Sequence, residues 1–422
     1  MPDRERMGRM AWWENEGLKI AGGRLRVAGR AAEAWARESG TPLFVYSRAR
    51  ILANLARLRA AFAPAWSGEL RIGYAMKANP HPGILGLLRA EGAWIDAVSP
   101  REVAAAARAG FPASRILFTG TSLGPSDFRQ AFARPGLTVA IDAVEEIPLM
   151  AAVRRRGFKD RRIPVSIRWN PGLGSGFNAK VITAGERSSD GTPIKFGIEE
   201  SRVLEAFATA AAAGFRPVGL HQHLGSGWTA DDYGLVRQAV GRMLDMARTV
   251  ERAGFGLEFL DFGGGFGPRY AEGQRMFPLE RYAGMVGRSV RKALPGLRSI
   301  AVEPGKFLVA DAGVLLLRVN YLKKSYGNLF ACVDGGTFNT LPRTAIYGQA
   351  YHQIVNASRT GGRKVPVTVA GHLCETGDVF GKDLPLAVPR AGDLLAVLGA
   401  GAYGRSMASE FNLRPIAPEA MG

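Results

Sequence analysis

Eight short apolar runs, separated by amphipathic stretches of helical period, fill the chain between about residue 44 and residue 305, and this alternation restricts the fold more than any other feature. The runs are Leu70–Met76, Trp94–Val98, Ile116–Thr119, Thr138–Ile141, Val165–Trp169, Val218–His223, Phe259–Phe262 and Ile300–Glu303. The stretches between them are Pro82–Ala90, Pro100–Ala109, Ser126–Ala133, Val144–Arg156, Glu200–Ala213, Asp231–Ala253 and Leu279–Ala293. Runs this short, each followed by a helix long enough to cross back over a sheet, read as repeated βα units. Eight of them fit a TIM (β/α)8 barrel better than an open doubly wound sheet.

Beyond residue 306 the helical period fades, and β-branched and apolar runs bounded by Gly and Pro take over: Leu308–Val319, Leu329–Val333, Val365–Val369 and Leu394–Leu398. These read as a second, mostly β domain of Greek-key barrel or sandwich type. Hairpin-like pieces at Leu18–Ile20 and Leu25–Val27 precede the barrel, and their return to complete the β domain would bring the chain ends together. The expected organisation is a segment 1–44 joining the β domain, a barrel over 45–305 and a β domain over 306–422. A chain of 422 residues exceeds the size at which single cores stop growing, so two domains are also expected from length.

Barrels of this kind carry chemistry at the C-terminal ends of their strands. The first run ends Tyr74-Ala-Met-Lys77-Ala-Asn79, and a lysine delivered into a barrel mouth is a Schiff-base candidate, because an unpaired buried ammonium is otherwise costly. The sixth ends His221-Gln222-His223-Leu224-Gly225-Ser226-Gly227 and the seventh Asp261-Phe262-Gly263-Gly264-Gly265-Phe266-Gly267. Two glycine-rich loops after late strands expose backbone N–H groups suited to a phosphate. The eighth ends Glu303-Pro304-Gly305-Lys306. A lysine, a phosphate cradle and a carboxylate around one mouth are what pyridoxal 5'-phosphate requires: the acid keeps the pyridine nitrogen protonated so that the ring can accept electrons. No metal is expected, since no Cys or carboxylate is evident near the two histidines.

At these residues the chain resembles the fold-type III pyridoxal-phosphate decarboxylases, and within them the diaminopimelate decarboxylases, from about Leu18 to Arg414. The likeness runs through residues 74 to 79, Asp-Ala-Val-Ser at 96 to 99, Lys195-Phe-Gly, His223-Leu-Gly-Ser226, Gly263 to Gly267 and Glu303-Pro-Gly. It continues through Arg343-Thr-Ala-Ile-Tyr347-Gly, Cys374-Glu375-Thr-Gly-Asp378 and Gly401-Ala-Tyr403-Gly, then Met407, Ser409 and Asn412. The resemblance implies that Lys77 carries the cofactor, His223 stacks on its ring, Ser226 with Gly263, Gly264 and Gly265 holds the phosphate, and Glu303 faces the pyridine nitrogen. Gly305, Lys306 and Tyr403 would line the cofactor. Cys374 would return a proton after carbon dioxide leaves; Glu375 would meet the distal amino group, Arg343 and Tyr347 the distal carboxylate, and Lys306 and Tyr403 the substrate. It also implies a homodimer in which Cys374 and Glu375 reach the partner's site. The expected substrate is meso-diaminopimelate, giving lysine and carbon dioxide.

Two departures bear on that substrate. Lys306 stands where the family has arginine, keeping the charge but losing a bidentate fork. The connection Asn170–Lys195, with five glycines, is longer than the family's and reads as a lid. Another amino acid, free or tethered to a carrier protein, is therefore the alternative substrate. An amino-acid racemase is the alternative of a different class, and Glu303 opposes it, since such racemases place an arginine at the ring nitrogen. A catalytically silent homologue is opposed by Lys77, Glu303, Cys374 and Tyr403.

The charge of +18, from 55 Lys+Arg against 37 Asp+Glu, raises nucleic acid as a partner, yet no basic run of five and no aromatic-basic interleaving supports it. It reads as solvated surface. No apolar run approaches the ~20 residues of a membrane span, and the N-terminus lacks a signal core. Two cysteines, Cys332 and Cys374, make no disulfide framework, which points to a cytoplasmic enzyme.

Overall fold

The computed structural model describes residues 10–348 and 350–422. All eight barrel runs form strands: Glu69–Ala75, Trp94–Ala97, Ile116–Phe118, Thr138–Ile141, Pro164–Arg168, Arg216–His221, Phe259–Asp261 and Ser299–Val302. Every neighbouring pair is parallel, and the last strand pairs with the first to close the barrel. Leu117, Val218, Phe259 and Ala301 pack together in its interior, and burying a large apolar side chain there is worth roughly 1.5–3 kcal/mol. Gly219 is required by this packing, because a Cβ would lie 2.5 Å from the Phe259 ring.

The helices start where their sequences provide an entry. Pro82, Pro100 and Pro125 occupy the first helical position of Pro82–Ala90, Pro100–Arg108 and Pro125–Phe132, where the missing N–H costs nothing. Ser99 Oγ accepts the Glu102 N–H and the Glu102 carboxylate accepts the Val98 N–H, so the Val-Ser end of the 96–99 motif is a helix cap.

The chain divides into two compact units. One comprises Leu55–Pro268 and Arg275–Leu308, and holds the barrel. The other comprises the described residues within Met1–Asn54, Arg269–Gln274 and Val309–Gly422. Its main sheet runs Ile354–Asn356, Leu394–Leu398, Gly313–Ser325, Asn328–Val333, Lys364–Ala370, Val379–Ala387. Leu43–Tyr46 pairs antiparallel with Gly313–Leu316, and Glu419–Met421 pairs parallel with Leu43–Tyr46, so segments from both ends of the chain complete this sheet. The expected N-terminal hairpin forms, as Leu18–Ala21 and Arg24–Val27, but in a separate three-stranded sheet with Arg30–Ala31. It joins the β unit by packing: Leu18, Leu25, Val27 and Trp35 are buried with Val314, Leu316 and Leu394.

Candidate active site

Lys77 sits in a single 3-10 turn, Met76–Ala78, that follows the first barrel strand. Its Nζ lies 3.4 Å from Asp96 Oδ2 at the end of the second strand, and Asp96 is 1% exposed. The other Asp96 oxygen accepts the Thr119 hydroxyl. Burial and the Glu303 charge push the Asp96 carboxyl up, and Lys77 pulls it back in part. Asp96 is a site residue that sequence reasoning left without a role; a polar residue inside an otherwise apolar run was the available signal.

Glu303 follows the eighth strand and is 5% exposed. Its N–H donates to Gly263 O at 2.8 Å, and its Oε2 lies 3.1 Å from His221 Nε2. Burial alone would raise this carboxyl; the His221 ring, with His223 and Lys77, outweighs burial and holds it at about 2. Glu303 Oε1 is buried and has no hydrogen-bond partner. The expectation of no carboxylate near the histidines is corrected here. His221, Asp261 and Glu303 each bring a donor atom within 4.8 Å of the others, because the three successive strands that carry or precede them are neighbours or next-neighbours in the barrel. Asp261 is pushed well up by burial and by the Glu303 charge, and accepts the Gly263 N–H at 2.8 Å.

His223 lies just beyond the end of the sixth strand and is half-buried as a residue. Its surroundings and the Lys77 charge push it down to about 3, so it is neutral near pH 7. Its Nδ1 accepts the Gly264 N–H at 3.1 Å, which places the ring proton on Nε2.

The two glycine-rich loops interleave. Gly227 and Trp228 donate their N–H groups to Gly265 O at 2.9 and 2.7 Å, and Gly267 donates to Trp228 O. Gly264 must be glycine because a Cβ would meet Glu303 O at 2.1 Å, and at Gly265 (φ +115°) it would meet the Trp228 ring at 2.3 Å. The N–H groups of Gly263 and Gly264, read from sequence as phosphate donors, are thus given to Asp261 and His223. Gly305 packs its backbone against Ala75 and Ala78.

The long connection after the fifth strand, expected as a lid, is hydrogen-bonded to the loop that follows the sixth strand. Ser175 and Thr183 donate N–H groups to Leu224 O, and Phe177 to Ser226 O. The Thr183 hydroxyl donates to His223 O at 3.0 Å, and Trp228 Nε1 to Ser175 O at 3.1 Å. A Cβ on Gly225 would lie 2.1 Å from Ser175 O, so the excursion and the Ser226 loop approach as closely as backbone allows. From this position Phe177 offers its ring to Lys306, whose Nζ is 4.5 Å from the centroid. Lys306 is 5% exposed.

In the β unit Arg343 is 2% exposed, which separates it from the surface arginines. Its guanidinium lies over the Tyr270 ring at 4.8 Å and donates to the Tyr270 hydroxyl at 2.7 Å. Tyr270 is a second residue that sequence reasoning missed. Tyr347, four residues from Arg343, is raised by burial. Cys374 and Glu375 are exposed on a tight loop. Asp378 organises that loop: its two oxygens accept the N–H groups of Thr337 at 2.5 Å and Leu373 at 2.7 Å. Asn412 Oδ1 accepts the Cys374 N–H at 2.8 Å. Tyr403 adopts φ +56°, an uncommon left-handed conformation for a bulky residue.

The barrel residues fit pyridoxal phosphate. A lysine at a strand end, a neutral histidine and a buried, ionised carboxylate with one orphaned oxygen are the groups its aldehyde, ring face and ring nitrogen need. The family described as pyridoxal-dependent decarboxylase, pyridoxal binding domain, matches residues 48–310. The chain belongs to the pyridoxal-dependent decarboxylases. This decarboxylase is 37% identical to the diaminopimelate decarboxylase of Methanothermobacter thermautotrophicus, over 93% of this chain and 89% of that one. It is 34% identical to that of Archaeoglobus fulgidus, over 94% and 92%. Among solved structures it is similar to diaminopimelate decarboxylase from Helicobacter pylori complexed with L-lysine, with TM-score 0.83, 31% identity, and coverage of 92% and 94%. The decarboxylase is a pyridoxal-phosphate enzyme and a carboxy-lyase. Among its described residues no helix is long and apolar enough to cross a membrane.

Proposed function

We propose that this decarboxylase acts on meso-diaminopimelate, releasing carbon dioxide and lysine, as a cytoplasmic homodimer with shared active sites. The similarity to diaminopimelate decarboxylases over nearly the full chain carries the substrate assignment. The convergence of Lys77, Asp96, His223 and Glu303 supports the placement of the cofactor. Lys77 would hold the cofactor's aldehyde carbon, and His223, uncharged, would cover the ring face. Glu303 Oε1 would meet the ring nitrogen. With the N–H groups of Gly263 and Gly264 engaged elsewhere, the phosphate would fall to the Gly265 end of its turn and to Ser226.

When bound, the cofactor supplies an electron sink for the pair left behind as the α-carboxylate departs. The Cys374 thiol would then deliver a proton to the α-carbon and recover it from water. Cys374 and Glu375 would act in the site of the partner subunit, and their exposure in one chain supports that reading. Arg343 presents a fork suited to the distal carboxylate, and Tyr270 holds the guanidinium in place. Tyr347 would join Arg343, Glu375 would contact the distal amino group, and Tyr403 would approach both cofactor and substrate.

The test is a carbon dioxide release assay over meso-diaminopimelate, lysine, ornithine, arginine, glutamate and carrier-tethered amino acids. Release from meso-diaminopimelate alone is expected. Release from another member and not from it would establish the second reading, which the ammonium of Lys306 over Phe177 favours. Sedimentation velocity tests the dimer: a monomer with full activity would refute shared sites.

A further inference from the structure

We propose that His221 is a positioning residue for the carboxylate that meets the cofactor: its Nε2–H holds Glu303 Oε2, so that Oε1 is the oxygen presented to the ring nitrogen. The inference rests on the placement of Glu303 given above and assigns a task to a residue that has none there. His221 ends the sixth barrel strand, in register with Asp261 on one side and Arg168 on the other, and its own carbonyl accepts the Trp169 N–H. Its backbone is therefore fixed from both neighbouring strands. Glu303 follows the eighth strand, and side chains from alternate strands share a layer in such a barrel, which is why the ring reaches across to it.

The terminal torsion of a glutamate is broad and roughly two-fold, so nothing in the side chain itself distinguishes its two oxygens. Here they are distinguished: Oε2 is 3.1 Å from His221 Nε2, while Oε1 is buried without a partner. His221 and Glu303 are 1% and 5% exposed, so both partners of this bond are buried. His221 Nδ1 also lacks a partner, so among the described residues the ring's hydrogen bond is the one to Glu303. The charged or titratable groups facing the pair are Lys77, Asp96, Arg168, His223 and Asp261. Burial opposes a charge on His221, but Glu303 and Asp261 raise its affinity for a proton, while Asp96 and Asp261 are themselves pushed up. The pair thus keeps the negative charge of this crowded acid cluster on Glu303.

The experiment titrates apoprotein with pyridoxal phosphate, reading the dissociation constant and the visible band, in wild type, His221→Leu, His221→Gln, Glu303→Gln and the His221→Leu/Glu303→Gln double variant. His221→Leu should weaken binding about ten- to a hundredfold, the cost of losing one hydrogen bond to a buried charge. His221→Gln, which restores an N–H donor at similar reach, should recover all but about threefold of this. In the Glu303→Gln background the leucine should add less than about threefold, because its effect passes through the ionised carboxylate. Wild-type affinity and band in His221→Leu, losses that multiply in the double variant, or no recovery by glutamine would each overturn the proposal. If His221→Leu does not fold, judged by melting of the apoprotein, His221→Asn replaces it, with an amide too short to reach Glu303. Unchanged binding in Glu303→Gln alone would instead overturn the placement of Glu303 at the ring nitrogen.

Discussion

Gly264→Ala tests whether the glycine turn is a spacer between backbones. A Cβ at this position would lie 2.1 Å from the Glu303 carbonyl oxygen, 3.0 Å from its carbonyl carbon and 3.7 Å from His223 Cε1. Ordinary contact begins near 3.4 Å, so one backbone must move by about 1.3 Å. The turn cannot retreat cheaply, because Gly263 O accepts the Glu303 N–H at 2.8 Å and Gly265 O holds Gly227 and Trp228. The displacement falls on Glu303, whose carboxylate and backbone move together. Overpacking of this kind costs roughly 1–3 kcal/mol of stability, and a shift of ~1 Å at a reacting group costs about a hundredfold in rate. The assay is steady-state carbon dioxide release together with cofactor titration and thermal melting. Gly241→Ala is the control: it lies in the helix Tyr233–Arg252 with nothing within 4 Å of the new Cβ, and should gain up to about 1 kcal/mol. A Gly264→Ala enzyme within threefold of wild type in both cofactor affinity and kcat/KM would refute the reasoning.

Asp378→Ala leaves the Thr337 and Leu373 N–H groups without their charged acceptor, and should cost about 3 kcal/mol in denaturant unfolding and lower kcat through the Cys374 loop. Lys306→Arg replaces an ammonium by a wider fork over Phe177; the ratio of kcat/KM between two substrates should change by about tenfold while the cofactor dissociation constant stays within threefold. Burial raises the Glu146 carboxyl from 4.5 to about 7 in the fold, so the native state binds the extra proton between these values. That group's stabilisation is complete below pH 4.5 and falls as pH rises to 7, by up to about 3 kcal/mol. Melting of Glu146→Gln between pH 4.5 and 7.5 should show a flatter decline than wild type, and parallel curves would contradict the assignment.

The barrel was legible because its information is local. Each strand is a short apolar run bounded by turn residues, and Lys77 and Glu303 stand out as charges at the ends of such runs. The strands missed by pattern lack that contrast: Val379–Ala387 carries Gly381, Lys382, Asp383 and Pro385 in an edge position, where Pro is tolerated and one face is wet. The helices Ala32–Ser39 and Arg48–Phe62 were missed for another reason, since alanine and arginine are strong helix formers that mark no face. The union of His221, Asp261 and Glu303 has no local signal at all. It arises from barrel order, which places residues 82 positions apart within hydrogen-bond reach. Arg343 shows the same limit: among so many arginines, only its pairing with Tyr270 reveals it as buried.

The glycines carry the sharpest lesson about reading a motif as chemistry. From sequence, Gly263 to Gly265 offer N–H groups to an anion. In the fold, two of those N–H groups serve Asp261 and His223, and the missing side chains make room for the Glu303 backbone and the Trp228 ring. Both descriptions concern a backbone that must come close, but they predict different consequences. If the turn were only a phosphate cradle, a methyl group at Gly264 would weaken the phosphate end and leave Glu303 alone. Because the methyl group points at the Glu303 carbonyl, the carboxylate end must suffer as well. The same turn also donates to His223 and accepts from Glu303, so it ties the residue assigned to the ring face to the residue assigned to the ring nitrogen. The charges of the site are therefore set by contacts among His221, Asp261 and Glu303, and their spacing by residues that carry no charge.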